Sequence, residues 1–152
     1  MTKCCKDLAE RLKVEKHLDC FSPKTVASEQ GKEFRIVNKS KKAICRVRID
    51  NCLIKSRSTK KCDFLFKVCA SKRYLLVELK GSNVEDGFAQ LVSTFDYLKS
   101  KLEVEPEHFE GFIVSTQVPR AANLKVRKLQ GQTWKKYQLR VQIKSREHTL
   151  VL

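Results

Sequence analysis

The chain has 152 residues, 41% hydrophobic and 32% charged, and its 32 Lys and Arg against 17 Asp and Glu give a net charge of +15. That length holds one core of ordinary size, and the composition excludes a disordered chain; no apolar run approaches the length of a membrane span. Such a basic excess on one small domain suits an anionic polymer, because each Lys or Arg set on a phosphate releases condensed counterions.

In chain order, Met1 to Asp7 carries no apolar stretch behind its lysine, so no secretory signal is read and the expected location is cytoplasmic, at the nucleoid when bound to DNA. Asp7 to Leu18 reads as a short, peripheral helix with Leu8, Leu12, Val14 and Leu18 as its apolar positions. The seven cysteines (Cys4, Cys5, Cys20, Cys45, Cys52, Cys62 and Cys69) form an odd set with no C-x-x-C pair, which reads as reduced thiols acting as small hydrophobes. A zinc site from Cys4, Cys5, His17 and Cys20 stays open. Glu33 to Val37 and Ala43 to Ile54, joined by a polar linker, read as a hairpin whose second strand alternates Cys45, Val47 and Ile49 with Arg46 and Arg48.

Two nearly continuous apolar runs follow, Cys62 to Cys69 and Tyr74 to Lys80, with a short connector that permits a second hairpin. Strands this apolar on both alternating sets belong at the centre of a sheet covered on both faces. Gly81 breaks the second run, and Ser82 with Glu85 has the spacing of a capping box. Phe88, Leu91, Val92, Phe95, Leu98 and Leu102 then recur at helical spacing, predicting a helix over Asn83 to Leu102. Glu110 to Thr116 reads as a strand, and Trp134 to Ile143 and Thr149 to Leu152 as further, basic strands. The expectation is an α/β fold with a mixed central sheet. Its core spans about residues 28–116, after a helical N-terminal appendage at 1–27 and before a basic, β-rich C-terminal extension at 117–152.

Charge is segregated along this order. Asn38 to Lys61 holds nine basic residues, among them Lys42, Arg46, Arg48, Lys55, Arg57, Lys60 and Lys61, against Asp50 alone. Gln117 to Leu152 holds nine, including Lys125, Arg127, Lys128, Lys135 and Lys136, against Glu147. Between them Val84 to Glu110 has seven acidic residues and two basic ones. This predicts a basic groove backed by an acidic helix, with the named lysines and arginines as phosphate contacts. Trp134 and Tyr137 read either as base-stacking platforms or as core.

Asp63, Glu78 and Lys80 are the charged residues that such apolar strands do not explain. An unpaired buried carboxylate costs several kcal/mol, and Glu78 and Lys80, two apart on a strand, share a face. Two carboxylates beside a lysine suit phosphodiester hydrolysis assisted by a hard cation. Asp63, fourteen intervening residues, then Glu78-Leu79-Lys80 resembles the PD-(D/E)xK signature of restriction-type endonucleases and resolvases.

The resemblance implies a restriction-endonuclease-like αβββαβ core and a Mg²⁺-dependent endonuclease, with Mn²⁺ able to substitute. It further implies that Asp63, Glu78 and the Leu79 carbonyl ligate the metal, that Lys80 serves the attacking water, and that Gln90, in Gln90-Leu91, is the glutamine RecB-like members carry on the following helix. Cys62 replaces the motif's proline, and Thr94 stands where a tyrosine is expected. Glu29, Glu33 and Asp50 are candidates for a third metal-site acid. DNA is preferred to RNA as partner, no membrane is expected, and analogy suggests a homodimer or higher homo-oligomer. The competing functions are a non-catalytic nucleic-acid-binding protein on the same fold and an RNA-cleaving member of the same superfamily.

Overall fold

Thr2 caps the first helix, α1 (Lys3–Leu12), by accepting a hydrogen bond from the Cys5 N–H at 3.3 Å. In this computed structural model, which describes residues 1–80, 83–116 and 123–152, α1 ends where Lys13 turns left-handed at φ 57°. The helix therefore starts before Asp7 and stops at Leu12, and Leu18 is 43% exposed. Nor is it peripheral: Cys4, Cys5, Leu8, Ala9 and Leu12 are all buried in the main core.

After a 3-10 turn come β1 (Phe21–Ser22), β2 (Val26–Glu29), β3 (Lys32–Val37), β4 (Ile44–Arg48), β5 (Phe64–Val68) and β6 (Arg73–Lys80). Helix α2 (Val84–Leu102), β7 (Phe109–Ser115), α3 (Leu124–Tyr137), β8 (Arg140–Ser145) and β9 (Glu147–Val151) complete the order. Six strands form a mixed sheet in the order β1-β4-β5-β6-β7-β8, antiparallel as far as β6 and parallel from β6 to β8. Strands β2, β3 and β9 form a second, three-stranded sheet. Helices α1 and α2 cover one face of the large sheet and the small sheet covers the other, so Leu65, Tyr74 and Leu76 point to the helices while Phe66, Leu75 and Val77 point to Phe34 and Ile36. Burial on both faces is why β5 and β6 are apolar along most of their length.

Three expectations are corrected. Strands β3 and β4 are not a hairpin: β3 pairs with β2 and β9, and β4 with β1 and β5. Asn38 braces the linker between the two sheets, its side chain bonding both the N–H and the carbonyl of Lys42. The segment after Arg48 is a turn, with Asn51 at φ 57°. The C-terminal region is not a β-rich extension either. Trp134 to Tyr137 end a helix whose Val126, Leu129 and Tyr137 pack inward at helical spacing, while β8 and β9 complete the two sheets. Finally, the cap of α2 is Asn83, whose Oδ1 accepts from the Asp86 N–H at 3.0 Å; Ser82, with Gly81, lies outside the described residues.

Candidate active site

Phe64 faces Val77 in the last pair of the β5–β6 ladder; Asp63 comes just before Phe64 and Glu78 just after Val77, with a hydrogen bond between their side chains. Asp63, just before β5, lies beyond that strand's alternation, while Glu78 belongs to the set of β6 that points toward α2, as Leu76 does. They are 9% and 3% exposed, two acids between apolar strands. Where strand pairing stops, the Asp63 carboxylate takes over: its Oδ2 accepts the Leu79 N–H at 2.8 Å, while the Asp63 carbonyl accepts the Ile49 N–H at 2.8 Å.

Burial pushes the Asp63 carboxyl up to about 6, and the negative charges of Glu29 and Asp50 push it the same way. The Leu79 N–H and a hydrogen bond with the Glu78 carboxyl act in opposition and do not prevail. The Asp63 carboxyl therefore holds a proton more readily than an ordinary aspartate, and a divalent cation bound by Asp63 and Glu78 would take that proton's place.

Asp63 opens into a cleft of about 400 Å³ lined with Ser28, Glu29, Arg48, Asp50, Asn51 and Phe64. The end of β2 supplies Glu29, and the turn after β4 supplies Asp50, which pairs with Lys61 at 3.8 Å. Of the three candidate auxiliary acids, Glu29 and Asp50 are brought to Asp63. Glu33 is not: it pairs with Arg35 at 3.3 Å and lines a neighbouring cleft.

Thr94 supports this end of the sheet. Completely buried on α2, its hydroxyl accepts the Cys62 N–H at 2.8 Å and donates to the Gln90 carbonyl at 3.0 Å, clamping the residue before Asp63 to the helix. The buried Cys62 thiol is pushed far upward by burial and by Glu78, so it stays protonated. One turn before Thr94, the Gln90 Oε1 is buried with no hydrogen-bond partner among the described residues. Lys80 ends β6 with its backbone opposite Ser115; its side chain lies outside the described part of the chain. Sequence reasoning took Thr94 as a departure from a motif and missed its clamping role, although a threonine inside an apolar helix face was the available signal.

Six of the seven cysteines are paired, which corrects both the reduced-thiol reading and the zinc reading. Disulfides join Cys4 to Cys69, Cys5 to Cys45 and Cys20 to Cys52, fastening α1 and the following turn to the large sheet and the loop after β4. Bonded sulfurs offer no thiolate for zinc, and the His17 side chain lies outside the described part of the chain. Asp19, Cys20 and Cys52 are, among the described residues, the only such trio of ligand atoms within 4.8 Å of one another, and two of them are the disulfide.

The basic residues divide. Arg48 lines the Asp63 cleft, and Lys55, Arg57 and Lys61 line an adjoining one of about 290 Å³ that shares Asp50 and Asn51 with it. Lys60 pairs with Asp86 at 3.3 Å and Lys125 with Glu85 at 2.8 Å, so both basic stretches border the start of α2. Arg127, Lys128, Lys135 and Lys136 are exposed on α3. Two placements differ from expectation. Arg46 is half-buried and donates to the Val26 carbonyl at 2.7 Å, tying the two sheets together, and Lys42 precedes β4 at the end opposite Asp50. Trp134 is half exposed, with the Arg140 guanidinium 5.4 Å above its ring, whereas Tyr137 packs edge-on against Phe95.

Comparison with family models, with curated proteins and with solved structures finds no match. No described helix is long and apolar enough to cross a membrane.

Proposed function

We propose that this protein is a metal-dependent endonuclease that hydrolyses phosphodiester bonds of DNA, on a PD-(D/E)xK core. The observation that carries the reading is the buried pair of Asp63 and Glu78, one just before β5 and the other on β6, with Asp63 open to a cleft that holds two further acids. The order α1, β4-β5-β6, α2, β7 supports the αβββαβ assignment.

Asp63, Glu78 and the Leu79 carbonyl would hold Mg²⁺ or Mn²⁺, with Glu29 or Asp50 as the further acid. Once bound, the metal would lower the pKa of a coordinated water and offset charge on the phosphate. The chain's own residues do the rest. Thr94 and the Leu79 N–H fix Asp63, so little reorganisation is needed at the reaction. Lys80 is assigned to the attacking water and Gln90 to orienting groups at the centre. Arg48, Lys55, Arg57 and Lys61 hold the phosphate backbone next to Asp50. Cleavage of both strands is assigned to two copies of the chain.

A non-catalytic nucleic-acid binder is the second reading, favoured by one observation: the Asp63 carboxyl is already held by the Leu79 N–H and by a hydrogen bond with Glu78. The disulfides bear on location, since they persist in oxidising compartments or in cells that keep intracellular disulfides, so a cytoplasmic setting needs the latter.

Incubating the protein with supercoiled, linear, branched and single-stranded DNA, and with RNA, in Mg²⁺, Mn²⁺ or EDTA tests the proposal. Cleavage of DNA in either metal and none in EDTA is expected. Metal-independent cleavage, or none on any substrate, would overturn it.

A further inference from the structure

Helix α3 carries five Lys and Arg and no Asp or Glu in fourteen residues. Val126, Leu129 and Tyr137 pack against the main core and Gln130 donates to the Val141 carbonyl at 2.9 Å, which fixes how the helix is turned. Gly131 is left on the outward face. It is an ordinary helical residue, and a Cβ built there meets nothing within 4 Å. No packing among the described residues calls for a glycine, yet glycine inside a helix is destabilising relative to alanine.

The four residues one helical turn away on either side, at i−4, i−3, i+3 and i+4, are Arg127, Lys128, Trp134 and Lys135, all exposed. Side chains at those spacings flank the glycine, so it forms the bare floor of a basic rim, which Arg140 extends over the Trp134 ring.

We propose that this face is a second binding site for nucleic acid, at which a phosphate backbone lies against Gly131 between these side chains. The proposal rests on the nuclease reading for the identity of the polymer. Charge complementarity selects the occupant: a rim of four cations with no acid in the helix matches a polyanion, and a glycine admits the close backbone approach that a side chain would block. An anionic membrane fits less well, because the exposed apolar residues Leu124 and Trp134 stand ten positions apart and form no continuous apolar face.

The test uses the whole chain with Gly131→Ala and Gly131→Leu, read by melting temperature and by fluorescence anisotropy with a labelled 30-base-pair DNA duplex in EDTA. Anisotropy is repeated with phosphatidylserine/phosphatidylcholine vesicles. Gly131→Ala is expected to melt about 2–4 °C higher than the wild type and still bind DNA more weakly. Gly131→Leu should lose about tenfold or more in affinity, the scale of forcing extra methylene groups into a close contact. Vesicle binding should be negligible throughout. Unchanged DNA affinity in both variants overturns the inference and leaves the nuclease reading untouched, as does tight vesicle binding that the substitutions abolish. A wild type that binds no DNA in EDTA overturns the inference, while cleavage in Mg²⁺ judges the nuclease reading separately.

Discussion

The Thr94 hydroxyl, 2.8 Å from the Cys62 N–H, joins helix α2 to the residue that precedes Asp63. Thr94→Val keeps the shape and leaves a buried N–H without a partner, which costs about 1–3 kcal/mol. A positioning role predicts a lowered kcat with KM little changed, and recovery of both kcat and melting temperature in Thr94→Ser. A variant that loses stability and keeps full kcat would show that Thr94 is structural only.

The raised Asp63 carboxyl sets a pH dependence. Its folded value of about 6 exceeds the ordinary 3.8, so the folded chain retains a proton that the unfolded chain releases. The stability this confers is complete below about pH 4 and is lost as pH rises through about 6. Melting curves in EDTA should therefore show a falling contribution across that window which Asp63→Asn removes. At pH 7 added Mg²⁺ should raise the melting temperature of the wild type and not that of Asp63→Asn. Equal pH slopes in the two proteins would contradict the assignment.

Alkylation distinguishes the disulfide pattern from free thiols. Unfolded in denaturant without reductant, the protein should take up one iodoacetamide group, at Cys62, and after reduction seven, read by mass spectrometry. The Cys4–Cys69 bridge spans 65 positions. In the chain-entropy account, closing a loop of that size is worth about 4 kcal/mol, so reduction should lower the melting temperature sharply.

If binding is mainly to phosphates and about six are contacted, log K against log [salt] on duplex DNA should have a slope of roughly −5. Asp96, Glu103 and Glu105 are exposed on and after α2. Neutralising them should raise affinity only slightly, and a large loss would show that the charge map is wrong.

The centre of the fold was legible because β5, β6 and α2 leave little choice. Two apolar runs with a short connector between them pair as a hairpin, and that pairing brings together the ends that carry Asp63 and Glu78. The partner of β3 was not legible: alternation in Glu33-Phe34-Arg35-Ile36 marks a half-buried strand, but says nothing of β9, more than a hundred residues later. Helix α3 was hidden because charged residues crowd its few inward positions, and Trp134, which looked like part of a strand, is on its rim. Cysteine spacing does not reveal pairing between distant elements. The arginines of β4 alternate as expected, yet whether they meet a phosphate or a second sheet depends on what covers that face; Arg46 meets β2 and Arg48 the cleft.

The measurement that bears most directly on the account is the rate of DNA cleavage in Mg²⁺ by wild type, Asp63→Asn, Glu78→Gln and Lys80→Ala, each with its melting curve and its DNA affinity in EDTA. The carboxylate variants should abolish cleavage at low Mg²⁺, with partial rescue by more metal. Lys80→Ala should lower the rate by on the order of 10² or more, the effect of losing one preorganised electrostatic group, and affinity should change by less than about 1 kcal/mol, under tenfold. Three folded variants that cut DNA as fast as the wild type would contradict the proposed centre.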